Sequence, residues 1–378
     1  MIKRKPFVSD IDCKLPIYLM LTITKNNYNL YAGNSECYRQ ISDSCTMRRT
    51  LLNSDEIFKT AERVIAGEGI SYKTACDLIK LEGGRIYDLL AAGSRIREHF
   101  KGNRVSLCSI VNAKSGRCPE DCSFCGQSAF YNTDATEYGL IEPNAIAEAA
   151  EKARGMKSRE FSIVTSGTRV ESEKELDRLC QALQKIGDGM ERCASLGIMT
   201  KEALLKLKEA GLESYHHNLE TARSYFPNIC TTHDYDDDVN TVKMAREMGF
   251  KTCCGGILGL GETLEQRVEL DLTLKDLDVD SVPMNFLNPI KGTRMEGMKT
   301  IPPLEGLKAI AVYRFILPDK NIIVSGGREV TFRDLQSMIF MAGANGTLIG
   351  NYLLTKGRKP EELLQMIEDL GLEVEGYE

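Results

Sequence analysis

The sequence predicts an α/β protein whose main domain is a (β/α)8 TIM-type barrel preceded by an N-terminal helical extension. Two observations lead to this fold class. Short runs rich in β-branched residues alternate with amphipathic segments from residue 104 onward, and eight such units occupy about 250 residues, the usual size of this barrel. Strand count alone does not prove that the sheet closes, so a doubly wound open sheet is the competing prediction.

Composition is consistent with a large folded chain. Of 378 residues, 42% are hydrophobic and 27% are charged, which excludes a disordered or fibrous protein. The formal net charge of −6 provides no overall basic field, so we expect no nucleic-acid partner. The longest apolar run, 15–23, contains Pro16 and is far shorter than the roughly 20 residues that span a bilayer, so we expect no membrane partner.

Three regions are expected along the chain. Apolar residues in 1–50 follow neither a helical nor a strand period, and this region is predicted to be a poorly patterned extension. The alternative is that translation starts at Met47, in which case residues 1–46 are not part of the protein. Residues 51–100 carry helical patterning, and residues 101–372 are predicted to form the barrel. The predicted helices of the second region are 56–66, 71–81 and 86–99, and Ser71 is a candidate N-cap.

The barrel elements follow in order. The predicted strands share short apolar or β-branched runs; they are 105–111, 161–165, 191–195, 214–219, 251–258, 281–287, 321–325 and 346–349. The predicted helices share apolar residues at spacings of three and four, as in 173–186. They are 143–154, 173–186, 201–210, 236–248, 264–277, 303–316, 332–342 and 360–370.

The chain has 13 cysteines. An odd number in so long a chain is unlike a secreted disulfide scaffold, and it favours a reducing, cytoplasmic compartment in which clustered thiols bind metal or do chemistry.

The strongest local signal is Cys118, Cys122 and Cys125 in the loop 118–125. This loop directly follows the first predicted strand, at the end of the barrel where such folds build active sites. Three thiolates can converge on one soft-metal centre, and three rather than four would leave one iron of an iron–sulfur cluster open. A zinc site completed by Cys108 is the alternative, whereas a redox thiol pair needs only two cysteines.

The spacing Cys-x3-Cys-x2-Cys after the first strand resembles the radical S-adenosylmethionine superfamily, and residues 112–122 resemble the biotin synthase family in particular. The resemblance covers residues 51–372. Further motifs follow along the chain in the same order as in that family, and they are 215–220, 255–262, 281–286, 325–329 and 341–345.

This resemblance implies an enzyme, a sulfurtransferase that inserts sulfur into dethiobiotin by radical hydrogen abstraction in the last step of biotin biosynthesis. Cys118, Cys122 and Cys125 would hold a [4Fe-4S] cluster whose open iron binds S-adenosyl-L-methionine. The implied partners are dethiobiotin, a flavodoxin or ferredoxin-type electron donor, and a second copy of the chain in a homodimer. A related radical enzyme such as an [FeFe]-hydrogenase maturase is the alternative function.

Five residues beyond the cysteine loop receive roles from the resemblance. Asn218 and Glu220 end a predicted strand on one face, and they would bind the ribose of S-adenosylmethionine, with Asn218 also near substrate. Gly255 and Gly256 would let backbone approach the cofactor, and Asn285 would bind the ureido ring of dethiobiotin. In the alternative interpretation, Asn218 and Glu220 cap a turn, the two glycines mark an ordinary break between strand and loop, and Asn285 is a polar residue at a strand end whose hydrogen bonds are satisfied within the protein.

The resemblance also implies an auxiliary cluster, usually [2Fe-2S], held by three cysteines and an arginine. Cys193 and Cys253 match two of the cysteines, but Ser162 occupies the third position and Ile323 occupies that of the arginine. A complete [2Fe-2S] ligand set is therefore absent from the motif positions.

Two other cysteines could supply the missing ligands. We expect a differently ligated auxiliary cluster, [2Fe-2S] or a four-iron variant, that adds Cys230, Cys254 or both to Cys193 and Cys253. The alternative is that Cys230 and Cys254 are small buried hydrophobes. The prediction assigns Cys76, Cys108 and Cys180 to the core.

The histidines are a poor set of metal ligands. His216 and His217 are adjacent in a predicted strand and so face opposite sides, while His99 and His233 have no partner that the sequence reveals.

Overall fold

The computed structural model describes residues 52–376. The predicted extension over 1–50 and the alternative start at Met47 lie outside these residues. Three helices open the described chain: α1 (Ser54–Ile65), α2 (Tyr72–Ile79) and α3 (Arg85–Lys101). Ser71 caps α2 as predicted, since its hydroxyl accepts a hydrogen bond from the Thr74 amide, satisfying one of the free amides of the first turn.

The remaining chain forms a closed barrel of parallel strands, as predicted, and not an open sheet. Nine strands make the wall; they are β1 (Arg104–Lys114), β2 (Glu160–Thr165), β3 (Glu191–Ser195), β4 (Ser214–His216), β5 (Lys251–Cys253), β6 (Gly256–Leu258), β7 (Ser281–Phe286), β8 (Asn321–Val324) and β9 (Gly346–Leu348). Strand β9 pairs with β1 and closes the ring. Strands β5 and β6 both pair with β7, so these two short strands together occupy one of the eight strand positions of the barrel. Strand β10 (Glu373–Val374) pairs with the first residues of β1.

Helices cover the outside of the wall. Their apolar faces bury residues such as Leu179 and Leu183 against the sheet, which places the core between helices and strands. The helices are α4 (Pro143–Gly155), α5 (Glu173–Lys185), α6 (Lys201–Glu209), α7 (Tyr235–Glu247), α8 (Leu264–Asp276), α9 (Pro303–Ile316), α10 (Arg328–Phe332), α11 (Met338–Met341) and α12 (Pro360–Asp369).

Three predicted elements differ from the structure. The strand predicted over 251–258 is divided into β5 and β6, because residues 254 and 255 lie outside both strands. The helix predicted over 332–342 is broken, because Arg333 has a φ of 50° and ends α10; a left-handed residue cannot continue a right-handed helix. The strand predicted over 214–219 ends at His216, so Asn218 and Glu220 lie beyond it.

The register of the barrel shifts steadily around the wall. Cys108 on β1 pairs with Glu160 on β2, which pairs with Glu191 on β3. Cys193, two residues further along β3, has its side chain in the barrel interior, as does Cys108. Interior positions of one layer therefore advance by two residues at every second strand, as expected from the tilt of strands in a closed barrel.

Each helix in residues 52–376 is too short or too polar to cross a bilayer.

Helix α3 packs closely against the barrel's outer layer at Gly93. A Cβ atom there would lie 2.6 Å from the carbonyl oxygen of Ala342 and 3.3 Å from the Cβ of Ala311 on α9. We expect Gly93→Ala to lower the free energy of unfolding by about 1–3 kcal/mol, because overpacking forces α3 outward. Urea unfolding of the metal-free protein measures this.

The matched control is Gly155→Ala at the exposed end of α4, where no heavy atom lies within 4 Å of the added Cβ. Alanine favours the helix there by up to about 1 kcal/mol, so this variant should be as stable as the original chain or more so. Equal stability of the two variants would contradict the close contact at Gly93.

Candidate active site and cysteine-rich cavity

A cavity of about 360 Å³ occupies the barrel interior and opens toward the carboxyl ends of the strands. Every position of the wall contributes at least one side chain to it. Its lining is mainly apolar, with Phe124, Ile257, Phe286 and Leu287 among the contributors. Such a concave, mainly apolar space with a few polar groups is a typical small-molecule site.

The cysteine loop lies at this mouth, immediately beyond β1. The Cys118 amide donates to the Gln127 carbonyl at 3.0 Å, the Ala129 amide donates to the Cys118 carbonyl at 2.8 Å, and the Cys125 amide donates to the Cys122 carbonyl at 3.0 Å. Cys125 lines the cavity together with Gln127. The backbone bonds thus close the loop into a compact turn that carries all three thiols.

A second segment, 229–233, holds the outer side of this loop. The Asp121 carboxylate accepts hydrogen bonds from the Thr231 amide at 2.7 Å and the Thr231 hydroxyl at 2.6 Å. The Ser123 amide donates to the Ile229 carbonyl at 2.8 Å. The cysteine loop and this segment are therefore one hydrogen-bonded unit.

The same contact brings Cys230 to the cysteine loop. Its Sγ lies 3.9 Å from the Sγ of Cys122 and 3.3 Å from Nδ1 of His233.

His233, for which the sequence reveals no partner, is at the centre of a buried ionic network. Its Nδ1 lies 2.7 Å from a Glu120 oxygen and its Nε2 lies 3.3 Å from Asp238 on α7. His217 Nε2 approaches the other Asp238 oxygen at 2.8 Å. Burial alone would lower the pKa of His233, but its hydrogen bonds to Asp238, Cys230 and Glu120 raise the pKa to about 11, so the imidazole is cationic at neutral pH.

His216 and His217 face opposite sides, as predicted. His216 lines the cavity, where burial lowers its pKa to about 4 and keeps the ring uncharged. His217 points outward to Asp238.

The three loop thiols suit an iron–sulfur cluster. All ten cysteines among the described residues are free, and burial raises the pKa of Cys118 above its usual value and that of Cys125 to about 11. Thiolates on one short loop are a soft donor set of the kind that iron–sulfur clusters use. Cluster binding there would release the thiol protons.

Asn218 and Glu220 both line the cavity although they follow the strand. The Asn218 amide nitrogen lies 3.5 Å from both Glu220 oxygens, and its oxygen accepts from the Gly255 amide at 3.2 Å. Glu220 has a φ of 60°, a strained left-handed conformation that turns its side chain into the cavity. Burial, together with the charge of Asp238, raises the pKa of Glu220 to about 8.

Gly255 and Gly256 both lie where neighbouring backbone approaches closely. A Cβ at Gly255 would lie 2.1 Å from the Pro283 carbonyl oxygen, and one at Gly256 would lie 2.5 Å from the Glu220 carbonyl oxygen. Both positions are therefore occupied by neighbouring backbone, and the cavity lining includes Cys253 and Ile257 on either side of the glycines but not the glycines themselves.

Asn285 on β7 projects into the cavity. Its amide oxygen accepts from the Gly326 amide at 2.9 Å, and its nitrogen lies 3.4 Å from the Gly256 carbonyl. These two backbone contacts fix the orientation of the side chain, and its nitrogen carries a second hydrogen that remains available to a ligand.

The auxiliary-cluster residues are divided between two places. Cys193 and Cys253 line the cavity with Ser162 and Ile323. The structure does not bring Cys230 or Cys254 to them. Cys230 lies beside Cys122, and Cys254 is fully buried in the hydrophobic core, since it follows Cys253 and so faces the opposite side of the wall.

Sequence reasoning missed two features of the site. It assigned Cys108 to the core, but Cys108 lines the cavity; the alternation along β1, combined with the barrel register, is the signal that could have located it. It also missed the pairing of Glu120 with His233, which joins residues 113 positions apart and leaves no local pattern.

Comparisons with known proteins show the family to which the chain belongs. The family model described as the Radical SAM superfamily matches residues 113–274, and the Biotin and Thiamin Synthesis associated domain matches residues 283–373. The biotin synthase of Geotalea uraniireducens (strain Rf4) is 55% identical over 82% of this chain and 95% of its own. That of Geobacter sulfurreducens is 56% identical over 83% of this chain and 96% of its own.

Two solved structures share the fold at low sequence identity. Methylornithine synthase (PylB) superposes with a TM-score of 0.73 at 22% identity, covering 84% of this chain and 97% of its own. The [FeFe]-hydrogenase maturase HydG also has a TM-score of 0.73, at 17% identity, covering 90% of this chain and 79% of its own.

More than half of the aligned residues are identical across almost the full length of these curated relatives, and the chain therefore belongs to the biotin synthase family of the radical SAM superfamily.

Proposed function

We propose that the chain is a biotin synthase, which inserts sulfur into dethiobiotin to form biotin. The observation that carries this proposal is that one cavity gathers Cys125 from the loop after β1, Asn218 and Glu220 from the turn after β4, and Asn285 from β7. These residue types, in these positions, correspond to the cluster, cofactor and substrate contacts that the family resemblance implies.

Cys118, Cys122 and Cys125 hold a [4Fe-4S] cluster, and S-adenosyl-L-methionine binds beside it. When bound, these two groups supply a radical able to abstract hydrogen from unactivated carbon. The protein's role is to position the reactants and to exclude water, and the apolar wall of Phe124, Phe286 and Leu287 serves the second purpose.

Asn218 and Glu220 bind the ribose of the cofactor. The turn after β4 aims both side chains into the cavity, and the amide of Asn218 braces Glu220 at 3.5 Å. Since the pKa of Glu220 is raised to about 8, its carboxyl is mainly protonated at neutral pH and can donate as well as accept a hydrogen bond. Gly255 and Gly256 support this pair by admitting the backbone of residue 220 and of β7.

Asn285 binds the ureido group of dethiobiotin. A ureido group presents both N–H donors and a carbonyl acceptor, which an amide side chain can match. Because backbone contacts at 2.9 Å and 3.4 Å already orient Asn285, little conformational entropy is lost when substrate binds.

An auxiliary iron–sulfur cluster is the proposed source of sulfur. Cys193 and Cys253, which line the cavity, support it, whereas Cys230 and Cys254 lie elsewhere. We further propose a flavodoxin or ferredoxin-type electron donor and a homodimer. The many free thiols support a reducing cytoplasmic setting.

The likeness to the hydrogenase maturase, at 17% identity, shows a common fold and favours no second function.

The direct test is anaerobic turnover of the reconstituted full-length chain with dethiobiotin, S-adenosylmethionine and a reductant. We expect biotin and 5′-deoxyadenosine to accumulate together, measured by mass spectrometry. Formation of 5′-deoxyadenosine without biotin would instead indicate a radical enzyme with another substrate.

Removing a loop thiol should abolish the radical cluster. We expect Cys125→Ala to lose the iron held by the loop and all cleavage of S-adenosylmethionine, because the cluster would keep only two of its three protein thiolates. Cys180→Ala is the matched control, since Cys180 lies on the outer helix α5 and should leave iron content and cleavage unchanged. Equal iron in both variants, measured by colorimetric assay, would refute the ligand assignment.

Asn285→Ala should selectively impair the use of dethiobiotin. Loss of one buried hydrogen bond to substrate costs about 1–3 kcal/mol, so kcat/KM for dethiobiotin should fall about 10- to 100-fold, while the affinity for S-adenosylmethionine is retained. Asn144→Ala on the exposed face of α4 controls for the substitution itself. A loss of cofactor affinity as large as the loss in kcat/KM would argue against a substrate role.

A further inference from the structure

Three cysteines on alternate strands of the barrel occupy one interior layer. They are Cys108 on β1, Cys193 on β3 and Cys253 on β5, and all three line the cavity. In barrels of this type a layer is made of four side chains contributed by alternate strands. The pairing of the strands shows that these three cysteines share such a layer.

The register links the first two cysteines. Cys108 pairs with Glu160 and Glu160 pairs with Glu191, two residues before Cys193. The next step repeats this offset: Cys193 pairs with Ser214, and Ser214 pairs with Lys251, two residues before Cys253.

The same rule closes the ring through Ile323. Cys253 pairs with Ser281 and Ser281 pairs with Asn321, two residues before Ile323. Ile323 in turn pairs with Gly346, which pairs with Ser106, two residues before Cys108. The four steps of two residues return to the starting strand, as the shear of eight in such a barrel requires. Three quarters of this layer are thiols and the fourth is aliphatic.

Electrostatic coupling supports the proximity of the three thiols. Burial raises the pKa of Cys253 well above its usual value, and charge on Cys193, Glu160 or Cys108 would raise it further. Burial likewise raises the pKa of Cys108, with Glu160 and Cys193 adding to the effect and the charge of Arg328 opposing it.

The other predicted candidates do not reach this layer. Cys254 lies in the hydrophobic core outside the wall, and Cys230 contacts Cys122 of the loop. Ser162, which the resemblance aligns with a missing cysteine, lines the cavity and pairs with Cys193. A hydroxyl there is a harder ligand than a thiolate and suits iron–sulfur clusters less well.

We infer that Cys108 is the third thiolate ligand of the auxiliary iron–sulfur cluster, completing a ring with Cys193 and Cys253. This inference rests on the proposed function and extends it, because it replaces Cys230 and Cys254 with a residue from β1. Ile323 cannot ligate iron, so this layer of the protein supplies three ligands.

The test measures iron and sulfide rather than turnover. In a background of Cys118→Ala, Cys122→Ala and Cys125→Ala, which removes the loop cluster, anaerobic reconstitution of the full chain should still load auxiliary iron with a visible iron–sulfur absorption and a Mössbauer spectrum. Adding Cys108→Ser to this background should lower the auxiliary iron content. The expected level is that of a variant in which Cys108, Cys193 and Cys253 are all replaced by serine.

Cys254→Ser in the same background is the matched control, since it alters a buried cysteine next to Cys253 and should retain the iron and its spectrum. Unchanged iron in Cys108→Ser, or an equal loss in Cys254→Ser, would overturn the inference.

An exchange variant separates ligation from packing. Cys108→Ser combined with Ser162→Cys moves the thiol to the neighbouring strand of the same cavity, and it should regain auxiliary iron with an altered spectrum. Loss of iron in Cys108→Ser without recovery in the exchange variant, when both elute as folded protein, would favour a packing role and count against ligation.

The two proposals can fail independently. Auxiliary iron that depends on Cys108 in a protein that makes no biotin would contradict only the proposed function. Biotin formation in a protein whose auxiliary iron is indifferent to Cys108 would contradict only the ligand assignment.

Discussion

Closure of the parallel sheet between β9 and β1 is the constraint on which the rest of the molecule depends. A closed wall must tilt its strands, and the tilt moves the register by two residues at every second strand. This shift decides which side chains meet at one height. Residues far apart in sequence, such as Cys108 and Ile323, are neighbours in a layer for that reason alone, and the polar cavity groups at the strand ends share one mouth.

Close backbone contacts involve several of the motif residues. Gly255 and Gly256 let the interrupted β5–β6 segment lie against β7 and against the turn at Glu220. Asn285 is tied to both sides of the same region through Gly256 and Gly326. The part of the cavity lined by Asn218 and Glu220 and the part lined by Asn285 are consequently held by connected hydrogen bonds, and the strained φ of Glu220 is maintained by its neighbours.

The sequence predicts most of the fold and some of the site. The bounds predicted for strands such as β2 and β3 agree with the structure within a residue, because short apolar runs between amphipathic helices are strong local signals. The helix predicted over 332–342 is wrong because a left-handed residue at Arg333 has no local signature. The interior position of Cys108 depends on the phase of the whole barrel, and the His233 network depends on contacts between distant loops, so neither could be inferred from spacing.

The bonds from Asp121 and Ser123 to residues 229–231 couple the cysteine loop to a part of the chain more than a hundred residues away in sequence. A displacement of the cysteine loop must either break these bonds or carry residues 229–231 with it. Through this coupling, the position of the chain leading into α7 depends on the position of the loop that carries the three thiols.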